Sequence, residues 1–199
     1  MKRISCMLLA LALCFAAALA EPYDLGAGVT LELDGGDYLL VATPETDDEA
    51  LAPFGLTRET LLQALEEAPA ALMAFAKNGA VLNAHAEPAD GTLWDGLDDE
   101  TLAGIYGGMD ASLNETAGEN GSFEGTACDV VTVPFGRAVV TELHGSWFGQ
   151  EAAVFHAAAQ GEAAAVSMTL IFYGPADESV RALLDAALNG LSAAPAEAE

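Results

Sequence analysis

Cys128, His144 and a carboxylate from Glu142 or Asp129 supply the atom types of a thiol hydrolase: a nucleophile, a base to activate it and an acid to orient the base. No local nucleophile signature surrounds them, and residue types without geometry establish no catalytic site. A serine hydrolase fares no better. The chain contains no Gly-x-Ser-x-Gly, and Ser146 reads as a turn serine between Gly145 and Trp147. Glycoside hydrolysis needs two carboxylates held across a cleft, but with 31 acidic residues the sequence singles out no pair. No catalytic residue is assigned.

Metal chemistry is scarcely better supported. The three histidines, His85, His144 and His156, are not spaced as ligand pairs and no cysteine pair accompanies them, so no zinc site is expected. In the alternation of their segments His85 points to solvent, and His156 shares a face with Val154 as a hydrogen-bonded sheet residue. Two acidic clusters concentrate oxygen ligands: Glu45 with Asp47, Asp48 and Glu49, and Asp90 with Asp95, Asp98, Asp99 and Glu100. Calcium takes six to eight oxygens, so these are the calcium candidates. Neither cluster has EF-hand spacing, and both are also explained as solvated charge and helix capping. No cofactor is expected apart from that calcium option.

Aromatics supply the remaining candidates for a binding site. Trp147 and Phe148 lie in a glycine-bounded stretch, 145–149, read as a loop, and Trp94 lies between Leu93 and Asp95 in another. Exposed aromatics anchor partners, although loop aromatics also fold back onto the core.

The elements that would position these groups begin after a leader. Lys2 and Arg3 precede an apolar run that ends in Ala18-Leu19-Ala20, the pattern of a secretory signal peptide of bacterial type cleaved after residue 20. No later segment is long and apolar enough to span a membrane. With the leader gone, four basic residues face 31 acidic ones, a formal charge of −27. Such a surface repels nucleic acid and anionic membrane. Cys128 is the one cysteine left, so it forms no intrachain disulfide and is expected as a small buried core residue.

Residues 21–192 read as a single α+β domain and 193–199 as an Ala/Glu/Pro tail. Strands are expected over 29–33 and 38–42, paired through the Asp34-Gly35-Gly36-Asp37 turn. Thr57 caps a helix to about residue 67. A hairpin follows over 72–77 and 80–86, turning at Asn78-Gly79 with positive φ at both positions. A second helix starts at Asp98 and is weakened or interrupted at Gly107-Gly108. Strands over 128–133, 138–143, 152–159 and 163–173 form an antiparallel meander, and 177–191 is an amphipathic helix.

This order of elements over about 28–192 resembles the Mog1/PsbP-like fold, an antiparallel sheet sandwiched by helices. The resemblance is carried by Ala152-Ala153-Val154-Phe155, the Gln160-Gly161 turn, the strand ending at Tyr173, Pro175-Ala176-Asp177 and the last helix. Phe123-Glu124-Gly125-Thr126-Ala127 also looks like the family's lead into its late meander. The resemblance implies binding more than chemistry and carries no functional residue over. The expected function is therefore an exported, non-catalytic binding or accessory domain, secreted or in the periplasm or cell envelope, with an envelope or extracellular protein as partner. A secreted hydrolase and a weak calcium-responsive module are the alternatives.

Overall fold

Alternation along the last strand organises the whole domain. Val166, Met168 and Leu170 are buried on one face, while Ser167 and Thr169 are half-buried on the other. A strand covered on both faces belongs inside a sheet. In the computed structural model, which describes residues 22–89 and 94–193, it is the central strand of the main sheet. The segment 1–20, Asp90, the Asp95 side chain and 194–199 lie outside the described residues.

Among the described residues ten strands form two sheets. The strands are β1 (Tyr23–Gly26), β2 (Val29–Leu31), β3 (Tyr38–Ala42), β4 (Leu72–Ala76), β5 (Val81–Pro88), β6 (Gly121–Val133), β7 (Gly136–Trp147), β8 (Gln150–Gln160), β9 (Ala164–Tyr173) and β10 (Leu191–Ala193). The main sheet runs β3-β4-β5-β9-β8-β7-β6, antiparallel at every junction. β1, β2 and β10 form the second, antiparallel as well. The helices are α1 (Asp48–Leu51), α2 (Arg58–Glu67), α3 (Asp99–Tyr106), α4 (Met109–Ala117) and α5 (Glu178–Asn189). No described helix is long and apolar enough to cross a membrane.

One face of the main sheet carries the larger core. Val180, Leu184, Ala187 and Leu188 of α5, with Val29 and Leu31 of the small sheet, pack on Val140, Phe155, Ala157, Met168 and Leu170. Each large side chain buried here stabilises by ~1.5–3 kcal/mol. The opposite face has two separate clusters. Leu51, Leu61 and Leu65 of α1 and α2 cover Ala42 and Met73 at the β3–β4 end. Leu113 and Ala117 of α4 cover Phe123, Leu143 and Val154 at the other. Helices thus lie on both faces of an antiparallel sheet, as expected for the α+β sandwich.

Several local expectations are corrected. The segments 29–33 and 38–42 do not pair with each other. β2 joins β1 and β10, whereas β3 joins β4. The Asp34 turn is present, with the Gly36 N–H donating to Asp34 Oδ1, but it links two sheets. β10 reaches Ala193, into the segment read as tail, because β2 offers it a free edge. The interruption expected at Gly107-Gly108 is present: Gly107 ends α3 and Gly108 precedes α4.

The two hairpin turns exchange their expected characters. At Asn78-Gly79 only the glycine has positive φ, 93°. That turn is the wider one in which the Ala76 N–H bonds the Ala80 carbonyl and Asn78 Oδ1 accepts from the Ala80 N–H. The stretch 145–149 is instead mostly strand, because β7 continues to Trp147 opposite Gln150. This leaves a two-residue turn, Phe148-Gly149, with φ of 49° and 74°. Positive φ at both central residues is the type I′ signature, which favours Asn-Gly and disfavours phenylalanine.

Candidate functional site: the aromatic turn of the β7–β8 hairpin

The β7–β8 turn owes its form to the strands that feed it. Eleven consecutive residue pairs, from Arg137–Gln160 to Trp147–Gln150, fix the register and leave just two residues to reverse the chain. Right-handed strand twist then demands the primed turn. Gly149 accepts that conformation without cost, whereas Phe148 takes it against its side chain's preference. The Phe148 N–H donates to the Asn120 carbonyl at 2.7 Å, which pins the turn to the 3-10 turn Gly118–Asn120. β6 approaches closely here. A Cβ at Gly145 would lie 1.9 Å from the Ser122 carbonyl oxygen, so only glycine fits that strand contact.

The aromatics around this turn divide between core and surface. Trp147 is half-buried, set edge-on to the buried Phe123 at 5.9 Å. Phe148 stacks on Trp147 with planes 4° apart and centroids 6.2 Å apart, yet remains 69% exposed. Tyr173, whose backbone pairs with Ala152 on the adjoining strand, is also exposed. An outward phenylalanine in an unfavourable backbone conformation makes this turn the candidate for recognition. Trp94 behaves differently. It packs edge-on to Tyr106 at 5.5 Å, and its carbonyl, with that of Leu97, accepts from Arg137 Nη1. Of the three aromatic candidates, Phe148 is the one displayed.

The hydrolase atoms are separated by the pleat. Cys128 pairs with Thr141 on the face that carries α3 and α4, and its Sγ lies 3.7 Å from Thr141 Oγ1 and 3.6 Å from the Ala103 carbonyl. Glu142 and His144 alternate with Thr141 and therefore occupy the opposite face. There His144 Nε2 lies 2.6 Å from Glu142 Oε1, and the imidazole meets the Phe155 ring edge-on. Asp129 shares that face and pairs with Arg181 of α5 at 3.7 Å. Cys128 is half-buried beside a helix, so it is not the enclosed core residue expected from its type.

A row of side chains crosses the sheet instead. Cys128, Thr141, His156, Thr169 and Asn83 are cross-strand neighbours in succession. His156 Nδ1 lies 3.1 Å from Thr169 Oγ1, and Asn83 Oδ1 is buried without a hydrogen-bond partner among the described residues. Burial, helped by the neighbouring His85, pushes the His156 imidazole down to about 4. His85 is half-buried on the same face rather than turned to solvent, opposite Ser167. A cavity of about 140 Å³ opens between α4 and this row, lined by Ser112, Leu113, Thr116, Val154, His156 and Thr169. The row was hidden from sequence reading because its members come from five separate strands. Its one signal was polar residues at alternate positions, as in Asn83 and His85 or Ser167 and Thr169.

Three acids of the two clusters, Asp47, Asp48 and Asp98, accept from backbone N–H groups. Asp47 caps α1 by accepting from the Ala50 N–H, and Asp48 Oδ1 accepts from the Arg58 N–H at the start of α2. Glu49 stands exposed in the first turn of α1. Asp98 caps α3 through the Thr101 N–H, and hydrogen bonds from Thr101 hold its carboxyl below the usual range. Asp99 pairs with Arg137 Nη2 at 2.5 Å. Among the described residues no group of three or more His, Cys, Asp or Glu is placed to hold a metal ion.

An antiparallel seven-stranded sheet between helical layers, closed by a C-terminal helix, is a PsbP-like fold. Over 89% of its length the chain matches the solution structure of cyanobacterial PsbP (CyanoP) from Synechocystis sp. PCC 6803, covering 95% of that chain with a TM-score of 0.53. Sequence identity is 9%, so the likeness is one of fold. No protein-family model matches the chain. No curated protein matches it either.

Proposed function

We propose that this chain is an exported, non-catalytic binding or accessory domain that presents the β7–β8 turn to an envelope or extracellular protein. The observation that carries the reading is Phe148, 69% exposed and held at a φ of 49° by paired strands on both sides. A large aromatic in that position contributes little to folding and suits recognition. Export is supported by the charged start, apolar run and Ala18-Leu19-Ala20 of the first 20 residues. The test is capture of a partner from envelope fractions by immobilised wild-type protein and by Phe148→Asn. Capture by the wild type alone supports the reading. Equal capture by both, or turnover in a broad hydrolase screen, overturns it.

The hydrolase alternative has the short His144–Glu142 contact in its favour. Any activity found in that screen should be repeated with His144→Ala and with Cys128→Ser. Loss in the first variant alone would assign the activity to the His144 face. For the acidic clusters we propose capping and surface charge. Calcium and magnesium at matched ionic strength should then raise the thermal midpoint equally, while a large rise with calcium alone would assign a site.

A further inference from the structure

We infer that the β7–β8 turn receives a cationic side chain, arginine or lysine, from a basic segment of the partner protein. This rests on the binding reading above and adds the chemistry of what is bound. The outward ring of Phe148 offers a π face, which attracts cations through its quadrupole. The residues at the turn itself, 118–120 and 145–151, include Glu119 and Glu151, both exposed, and no lysine or arginine. Glu119 precedes the Asn120 carbonyl that holds Phe148, and Glu151 lies two residues beyond Gly149 on β8.

The four lysines and arginines among the described residues are already engaged. The Arg58 Nε–H donates to the Pro44 carbonyl, and Lys77 Nζ donates to that of Gly36. Arg137 is held by two carbonyls and Asp99, and Arg181 sits between Asp129 and Asp185. None of these four side chains is free to cover Phe148. The formal charge of the whole chain is −25, so its field draws basic segments in and repels acidic ones. A second copy of the chain would carry the same charge, which disfavours it as the occupant of this turn.

The experiment titrates the protein against a fluorescent nonapeptide alternating arginine and glycine, and against serine and glutamate counterparts, at low and physiological salt. Wild type should bind the arginine peptide and neither of the others, with affinity falling as salt rises. Phe148→Asn should weaken binding at least tenfold. Phe148→Leu, which keeps apolar bulk and removes the π face, should do the same. Circular dichroism confirms that both variants are folded. Glu119→Gln with Glu151→Gln should weaken binding several-fold.

Arginine-peptide binding unchanged in both Phe148 variants would mean diffuse attraction to an acidic surface and would overturn the inference. Absence of arginine-peptide binding would overturn it as well. Equal binding of the serine peptide, lost in Phe148→Asn, would overturn the cationic assignment and leave the aromatic turn as a binding site.

Discussion

Replacing Phe148 with asparagine removes a large aromatic side chain and should nevertheless leave the fold nearly as stable as before. About a third of the side chain is buried, against Trp147. For an aromatic that buries 150–250 Å² in a core, this corresponds to ~60 Å², or ~1.5 kcal/mol at 25 cal/mol/Å², an upper bound for a partly compact unfolded chain. Opposing this loss is the left-handed backbone, which costs an ordinary side chain ~1–2 kcal/mol and which asparagine adopts readily. The two effects cancel to within ~1 kcal/mol. Urea unfolding provides the assay, with Phe123→Ala as the comparison. Phe123 is 2% exposed under α4, and its truncation should cost ~3–5 kcal/mol. A loss of ~3 kcal/mol or more in Phe148→Asn would refute the reasoning, because Phe148 would then be a folding residue and its exposure no sign of function.

Three further perturbations probe the fold around the site. The His156 imidazole, lowered from 6.5 to about 4, is neutral in the native state at pH values where the unfolded chain binds a proton. Its contribution is therefore complete above pH 6.5 and lost as pH falls to 4, a change of ~3 kcal/mol. The wild-type and His156→Gln urea midpoints should diverge across that interval, and parallel pH curves would contradict the assignment. Gly145→Ala places a methyl group against the Ser122 carbonyl and should cost at least ~2 kcal/mol, read as a lower urea midpoint at unchanged slope. Arg137→Ala leaves the Trp94 and Leu97 carbonyls without their donor and should cost about 2 kcal/mol, with faster amide exchange over 97–106. Unchanged exchange there would show that Arg137 does not hold the entry to α3.

The α+β class, the late antiparallel meander and the last helix were legible in the chain because each depends on local periodicity. Val166, Met168 and Leu170 alternate in the sequence as they do in space, and the α5 stripe repeats at helical spacing. Capping was equally local, so Thr57 and Asp98 mark helix starts within three residues of the N–H groups they accept from. Phe148 was visible as an aromatic among glycines, but its display depends on the full β7–β8 register, which leaves two residues for the turn. Whether 29–33 and 38–42 pair with each other was decided by competition among distant edges, since β10, over 150 residues away, supplies the partner that β2 takes. The row from Cys128 to Asn83 exists only because five strands align laterally, and the pleat puts His144 on the other side of the sheet from the thiol. Period and propensity act over a few residues, whereas strand register and face are settled by contacts between residues far apart in the chain.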